Sequence, residues 1–187
     1  MPRYVAFLRG INVGGHTVKN DQLRAIVSAL GFTDVDTFIA SGNVIFSSRS
    51  DDAAAHERKI SKGLQAALGY AVATFVRSLD EVRDTAGHEP FEAAPAGPDR
   101  FTTYVILLAE PVTAASRKQV LACCSDVDEL AVKGREIYWR CRGSMLDSPF
   151  IKKQPRDLAA GTMRNRNTVV RLASKFPADS QGRQKPR

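Results

Sequence analysis

The sequence lacks any apolar run close to the roughly 20 residues that a membrane-spanning helix needs. Its first residues carry Arg3 and pass directly into a strand-like segment, without the apolar centre of a secretory signal. Cysteine is also scarce, and Cys123, Cys124 and Cys141 have no spacing typical of a disulfide framework or a zinc site. We therefore expect a cytoplasmic protein with reduced thiols, no contact with a membrane, no metal and no cofactor.

Several familiar site signatures are missing as well. There is no Walker sequence ending in G-K-[ST] and no G-x-G-x-x-G, so neither common nucleotide-binding loop is predicted. Ser41 does not have the G-x-S-x-G context of a hydrolase nucleophile, and His16 is the only histidine expected near it. The RNA-recognition pattern is absent from the strand that contains Phe46. These absences exclude the simplest assignments and leave an enzyme as an open alternative.

The sequence does have an excess of positive charge, and this excess lies at one end. The 187 residues carry 27 basic and 20 acidic side chains, which gives a net charge of +7. Residues 152–187 hold 10 of the basic and only 2 of the acidic side chains, so the remainder of the chain is close to neutral. A localised basic segment indicates an anionic partner. We expect a phosphate-bearing small molecule or a nucleic acid.

Hydrophobic periodicity divides residues 1–88 into a βαββαβ order. Strands are predicted at residues 4–8, 35–40, 44–47 and 71–77, with the second and third joined as a hairpin. Helices are predicted to begin at Asn20 or Asp21, at Asp51 or Asp52, and at the capping-box pattern Ser78–Glu81. This order predicts a ferredoxin-like subdomain, in which strands one and two are parallel and strand three lies between them.

The prolines of residues 89–98 indicate a linker to a second half. Residues 99–176 repeat a βαββ order, with strands at 101–109, 130–133 and 136–141 and a helix capped by Thr113. Trp139 alternates with Tyr138 and Arg140, which is the period of a half-buried strand. We predict an α+β protein whose second ferredoxin-like subdomain ends in extra helices, one at Ser148 and one over residues 164–176. Residues 177–187 are predicted to be a flexible basic tail.

Two glycine-bearing bends are expected to meet at one edge of the first sheet. Parallel strands end at the same edge, so the loop of residues 10–17 should lie beside the turn of residues 41–43. Glycine allows a ligand to approach the backbone closely, and the helix that follows the loop favours an anion at its N-terminus. The plain alternative is that these residues only form turns. The ligand-binding residues predicted here are Arg9, Asn12, Gly14, Gly15, Ser41 and Asn43.

A second candidate cluster precedes the last predicted helix. Asn165, Asn167 and Thr168 are candidates for its cap, while Arg164 and Arg166 place positive charge at the end that prefers negative charge. A bound anion or a nearby carboxylate would relieve that conflict; a solvated basic face is the alternative. Arg164, Asn165 and Thr168 are predicted to bind the ligand. If the two clusters share one cleft, a small-molecule transferase or hydrolase is a competing function, and an interaction module without a ligand is another.

The stretches Y-V-A-F-L-R-G-I-N-V-G-G, I-A-S-G-N-V-I-F and R-N-R-N-T-V-V-R-L-A resemble the bacterial family called domain of unknown function 1697. The resemblance covers about residues 3–176 and implies two ferredoxin-like parts, but no established activity, substrate or cofactor. This family commonly has an aromatic residue where the chain has Arg166. The matching positions are Arg9, Gly10, Asn12, Gly14, Gly15, Ser41, Gly42, Asn43, Arg164, Asn165 and Thr168.

Overall fold

The computed structural model describes residues 1–39, 42–93, 100–152 and 160–176, which form two four-stranded antiparallel sheets and six helices. The strands are β1 Arg3–Arg9, β2 Thr33–Thr37, β3 Asn43–Ser47, β4 Ala73–Ser78, β5 Phe101–Leu107, β6 Asp128–Lys133, β7 Glu136–Arg142 and β8 Thr162–Asn165. The helices are α1 Asn20–Ala29, α2 Ala53–Leu68, α3 Leu79–Gly87, α4 Ala114–Leu121, α5 Pro149–Lys152 and α6 Arg166–Lys175. Within these ranges no helix is both long and apolar enough to cross a membrane.

The two sheets have corresponding strand orders. The first sheet is β2-β3-β1-β4 and the second is β6-β7-β5-β8. The predicted β2–β3 hairpin and the position of β3 between β1 and β2 are confirmed. The prediction that the second half departs from the repeat after βαββ is wrong, because β8 pairs with β5 as β4 pairs with β1. This four-residue edge strand is too short to show a period in the sequence.

The inner faces of both sheets share one core. Val5 and Phe7 of the first sheet pack in the same cluster as Val105 and Tyr138 of the second, together with side chains of α3 and α6. The outer face of the first sheet is covered by α1 and α2, and that of the second by α4 and α5. The strand β7 is therefore buried on both faces, not on one as predicted, and Tyr138 is only 1% exposed.

The helix starts follow some of the predicted caps and not others. Ser78 and Glu81 form the predicted capping box, with the Glu81 amide donating to Ser78 Oγ at 3.2 Å and the Ser78 amide donating to Glu81 Oε2 at 2.8 Å. The helix α1 has no side-chain cap, and Lys19 occupies the capping position, so the cap predicted at Asn20 or Asp21 is wrong. Residues 94–98 of the predicted linker, and the predicted tail, lie outside the described ranges.

Candidate functional site

The loop of residues 10–17 and the turn before β3 lie side by side at one edge of the first sheet, which we call the rim. The Leu8 amide donates to the Gly42 carbonyl at 2.8 Å, and Phe7 is the register partner of Asn43. The two bends predicted to be neighbours are therefore adjacent at Gly42 and Asn43. Ser41 lies outside the described residues.

The loop folds back over the outer face of the first sheet. Ile11 and Val18 belong to the outer core, and the Tyr70 hydroxyl donates to the Ile11 carbonyl at 2.6 Å. His16 stacks on Tyr70 with the ring centroids 4.1 Å apart. The Val18 amide donates to Asn12 Oδ1 at 2.9 Å. The Asn12 side chain thus maintains the shape of the loop, whereas Asn43 points to the opposite, inner face.

The remaining part of the loop is open to a ligand. Gly14 and Gly15 have φ angles of 67° and 84°, which glycine adopts much more readily than other residues. No atom lies within 4 Å of the place where a Cβ would stand at either position. Their amides find no acceptor in the described part of the chain. Arg9 is exposed, and its side chain has no hydrogen bond or ion pair with any described residue.

Arg164 reaches the rim from β8 of the second sheet, and not from the start of a helix as predicted. Its Nε donates to Asn43 Oδ1 at 2.8 Å, and its Nη2 donates to the carbonyls of Leu8 at 2.8 Å and Gly42 at 2.6 Å. Its Nη1 donates to two oxygens of its own strand, both at 2.8 Å. Burial lowers the pKa of Arg164 to about 10, so the side chain stays charged at neutral pH. All five N–H groups are thus bonded to neutral oxygens.

Arg77 occupies the equivalent position in the first sheet. It lies opposite Val5 on β1, as Arg164 lies opposite Val105 on β5. Each arginine directly precedes the residue that caps the following helix, α3 in one case and α6 in the other. The matching sequence signal is V-R-S in the first half and M-R-N in the second. This short internal repeat is the sequence signal that indicates the pair.

The two arginines make reciprocal bonds that cross between the sheets. Arg77 donates Nε to Glu136 Oε1 at 2.7 Å and Nη2 to the Leu108 carbonyl at 2.6 Å. Glu136 is the first residue of β7, as Asn43 is the first residue of β3. The difference between the two sites is charge: Arg77 faces a carboxylate, whereas Arg164 faces an amide and has no ion pair with any described residue.

The other members of the second predicted cluster have local roles. Asn165 caps α6 by accepting the Asn167 amide at 2.9 Å, and Thr168 is half-buried in the first turn. Arg166 donates to the Ala86 carbonyl at the end of α3 and pairs with a nearby carboxylate. Among the described residues of this cluster, only Arg164 contacts the rim.

The described part of the site offers hydrogen-bond donors and positive charge. It contains no group of three His, Cys, Asp or Glu side chains that could hold a metal ion, a statement limited to the residues that the structure describes. His16 is engaged with Tyr70, and the other member of the catalytic pair considered above, Ser41, is not described. The arrangement can bind an anion.

A family model described as "Protein of unknown function (DUF1697)" matches residues 1–138. The chain belongs to the DUF1697 family. The matched region contains the rim loop, Asn43, Arg77 and Glu136, but ends before Arg164. The chain is also similar to the solved structure of the conserved bacterial protein SP0830 from Streptococcus pneumoniae, with a TM-score of 0.74 and 19% identity over 94% of this chain and 98% of that one. At that identity the similarity concerns the fold alone. No curated protein matches the chain.

Proposed function

We propose that this DUF1697 protein binds an anionic, phosphate-bearing ligand at the rim. The observation that carries the proposal is the difference between its two equivalent arginines. Arg77 is compensated by Glu136 at 2.7 Å, whereas the corresponding acceptor for Arg164 is the neutral side chain of Asn43. A charge removed from water is costly without a partner of opposite sign. A phosphate at the rim supplies the negative charge that Glu136 supplies at the other site.

The ligand does not bond Arg164 directly in this proposal, because every N–H group of that side chain is already used. Arg164 acts as a fixed positive charge behind the rim. For an anion held about 6 Å from the guanidinium, with an effective dielectric constant of about 20, the attraction would be about 3 kcal/mol before screening by salt. The direct donors are Arg9, the open amides of Gly14 and Gly15, and the uncapped N-terminus of α1.

A titration with inorganic phosphate at low ionic strength tests the proposal. We expect the amide resonances of Gly14 and Gly15 to shift and saturate in ¹H–¹⁵N spectra. Asn43→Asp adds the missing negative charge while keeping an oxygen for Arg164, so the affinity for phosphate should fall about tenfold. This variant also loses the bond from Asn43 Nδ2 to the Phe38 carbonyl at 2.9 Å, so its stability is measured in parallel.

Glu136→Gln is the matched control, because it makes the reverse exchange, a carboxylate for an amide, at the acceptor of the equivalent arginine. Its affinity for phosphate should equal that of the wild type. If the Gly14 and Gly15 amides do not respond to phosphate, the proposed function is wrong. If they respond equally in Asn43→Asp, the anion binds at the rim for a reason other than the charge of Arg164.

A nucleotide or a nucleic acid is the form of phosphate that the basic residues 152–187 favour. Binding to mixed oligonucleotides, followed as a function of salt concentration, distinguishes a nucleic acid from a small phosphate-bearing molecule. A nucleic-acid ligand requires measurable affinity at low salt that falls steeply as salt is added. Phosphate binding without any affinity for oligonucleotides restricts the ligand to small molecules.

We also infer that residues 1–88 and 99–176 are two ferredoxin-like subdomains and that the protein functions in the cytoplasm. The strand order β4-β1-β3-β2, repeated as β8-β5-β7-β6, supports the first inference. The three cysteines are free thiols, which supports a reducing compartment.

A further inference from the structure

A cavity of about 420 Å³ lies beside the segment that follows α3, and none of its lining residues belongs to the rim. Its lining includes Glu89, Phe91, Thr103, Arg140 and Arg166. This volume is in the range of small-molecule sites, which combine apolar walls with a few fixed polar groups. The cavity therefore has the size and the composition of a binding site that the proposed function does not use.

One polar atom of a residue in this lining lacks a partner. Arg166 Nε is the only buried side-chain nitrogen or oxygen without a hydrogen bond in the described part of the chain. The Nη2 of the same guanidinium donates to the Ala86 carbonyl at 2.7 Å and to Glu89 Oε1. Native proteins rarely leave a buried donor unpaired. The free Nε indicates that an acceptor is missing beside the Arg166 guanidinium.

Glu89 is a weakly held partner for Arg166. Its side chain is 70% exposed, and it reaches the guanidinium at Nη2 only. A carboxylate that bonds both Nε and Nη2 has a preferred, two-point geometry with arginine. Arg140, another residue of the lining, makes such a contact, because it donates Nε and Nη2 to the two oxygens of Glu129 at 2.9 and 2.6 Å.

We propose that this cavity binds a small aromatic carboxylic acid, whose carboxylate displaces Glu89 and bonds Arg166 through both Nε and Nη2. The acid replaces the single contact between Glu89 and Arg166 Nη2 with a two-point ion pair, and it supplies an acceptor for Arg166 Nε. Phe91 offers an apolar wall, over which Arg140 already lies at 5.0 Å from the ring centroid. The Thr103 hydroxyl has no hydrogen bond with any other described residue and is available to the acid.

A titration with benzoate tests this site, with the Arg166 Nε–H resonance in ¹H–¹⁵N spectra as the readout. We expect that resonance to move as its donor gains an acceptor. Acetate lacks the ring and so loses its burial, whereas benzyl alcohol lacks the carboxylate and so loses the charged hydrogen bonds to Arg166. Each should therefore bind at least tenfold more weakly than benzoate.

Two variants separate a bound carboxylate from an empty hydrophobic space. Arg166→Lys keeps the charge but removes the two-point geometry, so the affinity for benzoate should fall about tenfold. Glu89→Gln removes the competing carboxylate, so the affinity should rise about threefold. Both variants are measured through backbone amides of the cavity, with thermal melts to show that they are folded.

Several results would overturn the proposal: an Arg166 Nε–H resonance that benzoate does not move, benzyl alcohol binding as tightly as benzoate, or Glu89→Gln weakening the binding. Asn43→Asp should leave the affinity for benzoate unchanged, because the rim and this cavity share no described residue. That variant therefore distinguishes a failure here from a failure of the proposed phosphate site.

Discussion

Replacement of Glu136 tests whether the two arginines are structurally equivalent. Glu136→Gln retains an oxygen for Arg77 Nε and removes only the negative charge, which leaves Arg77 with a neutral acceptor at Nε, as Arg164 has, and with Glu57 still 4.0 Å away. The fold already tolerates Arg164 with an amide acceptor at 2.8 Å. We therefore expect Glu136→Gln to lower the free energy of unfolding by about 1–2 kcal/mol, the difference between a charged and a neutral hydrogen bond.

Glu136→Ala should be considerably more harmful. The side chain of Arg77 is fully buried and that of Glu136 is 14% exposed, so deletion leaves a buried cation without its acceptor. Breaking a buried pair in this way costs about 3–5 kcal/mol. Glu57 lies 4.0 Å from the guanidinium and retains part of the compensation, which places the expected loss near the lower end of that range.

Urea unfolding at neutral pH measures both losses as changes in the free energy of unfolding. Asp80→Asn is a suitable control, because the Asp80–Arg83 pair is exposed on α3 and its loss should matter little. The loss at Glu136 should change little with added salt, since a buried pair is poorly screened. If Glu136→Gln is as destabilising as Glu136→Ala, the equivalence of Asn43 and Glu136 is refuted.

Two further predictions concern acid stability and close packing. Burial pushes the pKa of Glu81 up, but the amide at the start of α3 and Arg135 outweigh it, so this pKa lies below its ordinary value of 4.5. Such a carboxyl contributes stability that is present above pH 4.5 and is lost as the pH falls through the lower, folded-state pKa. Glu81→Gln should therefore flatten the acid side of a series of thermal melts, and an unchanged slope there would contradict the reasoning. Gly161→Ala would place a Cβ 2.9 Å from a backbone oxygen of β5 and should cost about 1–3 kcal/mol in urea unfolding. In Gly63→Ala the new Cβ meets only the movable end of the Leu30 side chain. The higher helix propensity of alanine offsets about 1 kcal/mol of the cost of this contact. A loss of unfolding free energy as large as that of Gly161→Ala would therefore contradict the reasoning.

Elements with a complete local signal were predictable from the sequence. The capping box of α3 lies within four consecutive residues, Ser78 to Glu81, so its bonds depend on nothing distant. Gly69 ends α2 with a φ of 82°, a conformation that glycine adopts readily. Apolar residues at helical spacing, such as Ile60 and Leu64, face the core as expected.

Elements that depend on a distant partner were not predictable. The segment T-M-R-N of β8 is a strand because the edge of β5 offers it backbone bonds, and nothing within those four residues indicates this. The register opposite Val105 then turns Arg164 inward, towards Leu8 and Gly42. The sequence predicted a helix over residues 164–176, and in the first turn of such a helix Arg164 would lie on a solvated basic face.

The sequence predicted that the two bends are neighbours, but not how their side chains are used. The order of strands places the 10–17 loop beside Gly42 and Asn43, and in the structure Phe7 and Leu8, just before that loop, pair with Asn43 and Gly42. The use of each side chain depends on packing: Asn12 supports its own loop, and Asn43 faces the second sheet. A side chain is available to a ligand only if its donors and acceptors are not already used in hydrogen bonds within the protein.

The sequence by itself determined the family, the local helices, the βαββαβ order of the first half and the two bends at the end of β1 and the start of β3. Only the tertiary structure decided that Arg77 and Arg164 are equivalent and that one faces a carboxylate and the other an amide. The physical reason is the distance along the chain over which each interaction acts. Caps and hydrophobic periods act between residues a few positions apart, whereas the partner of a buried charge is set by which strands pair and which faces meet.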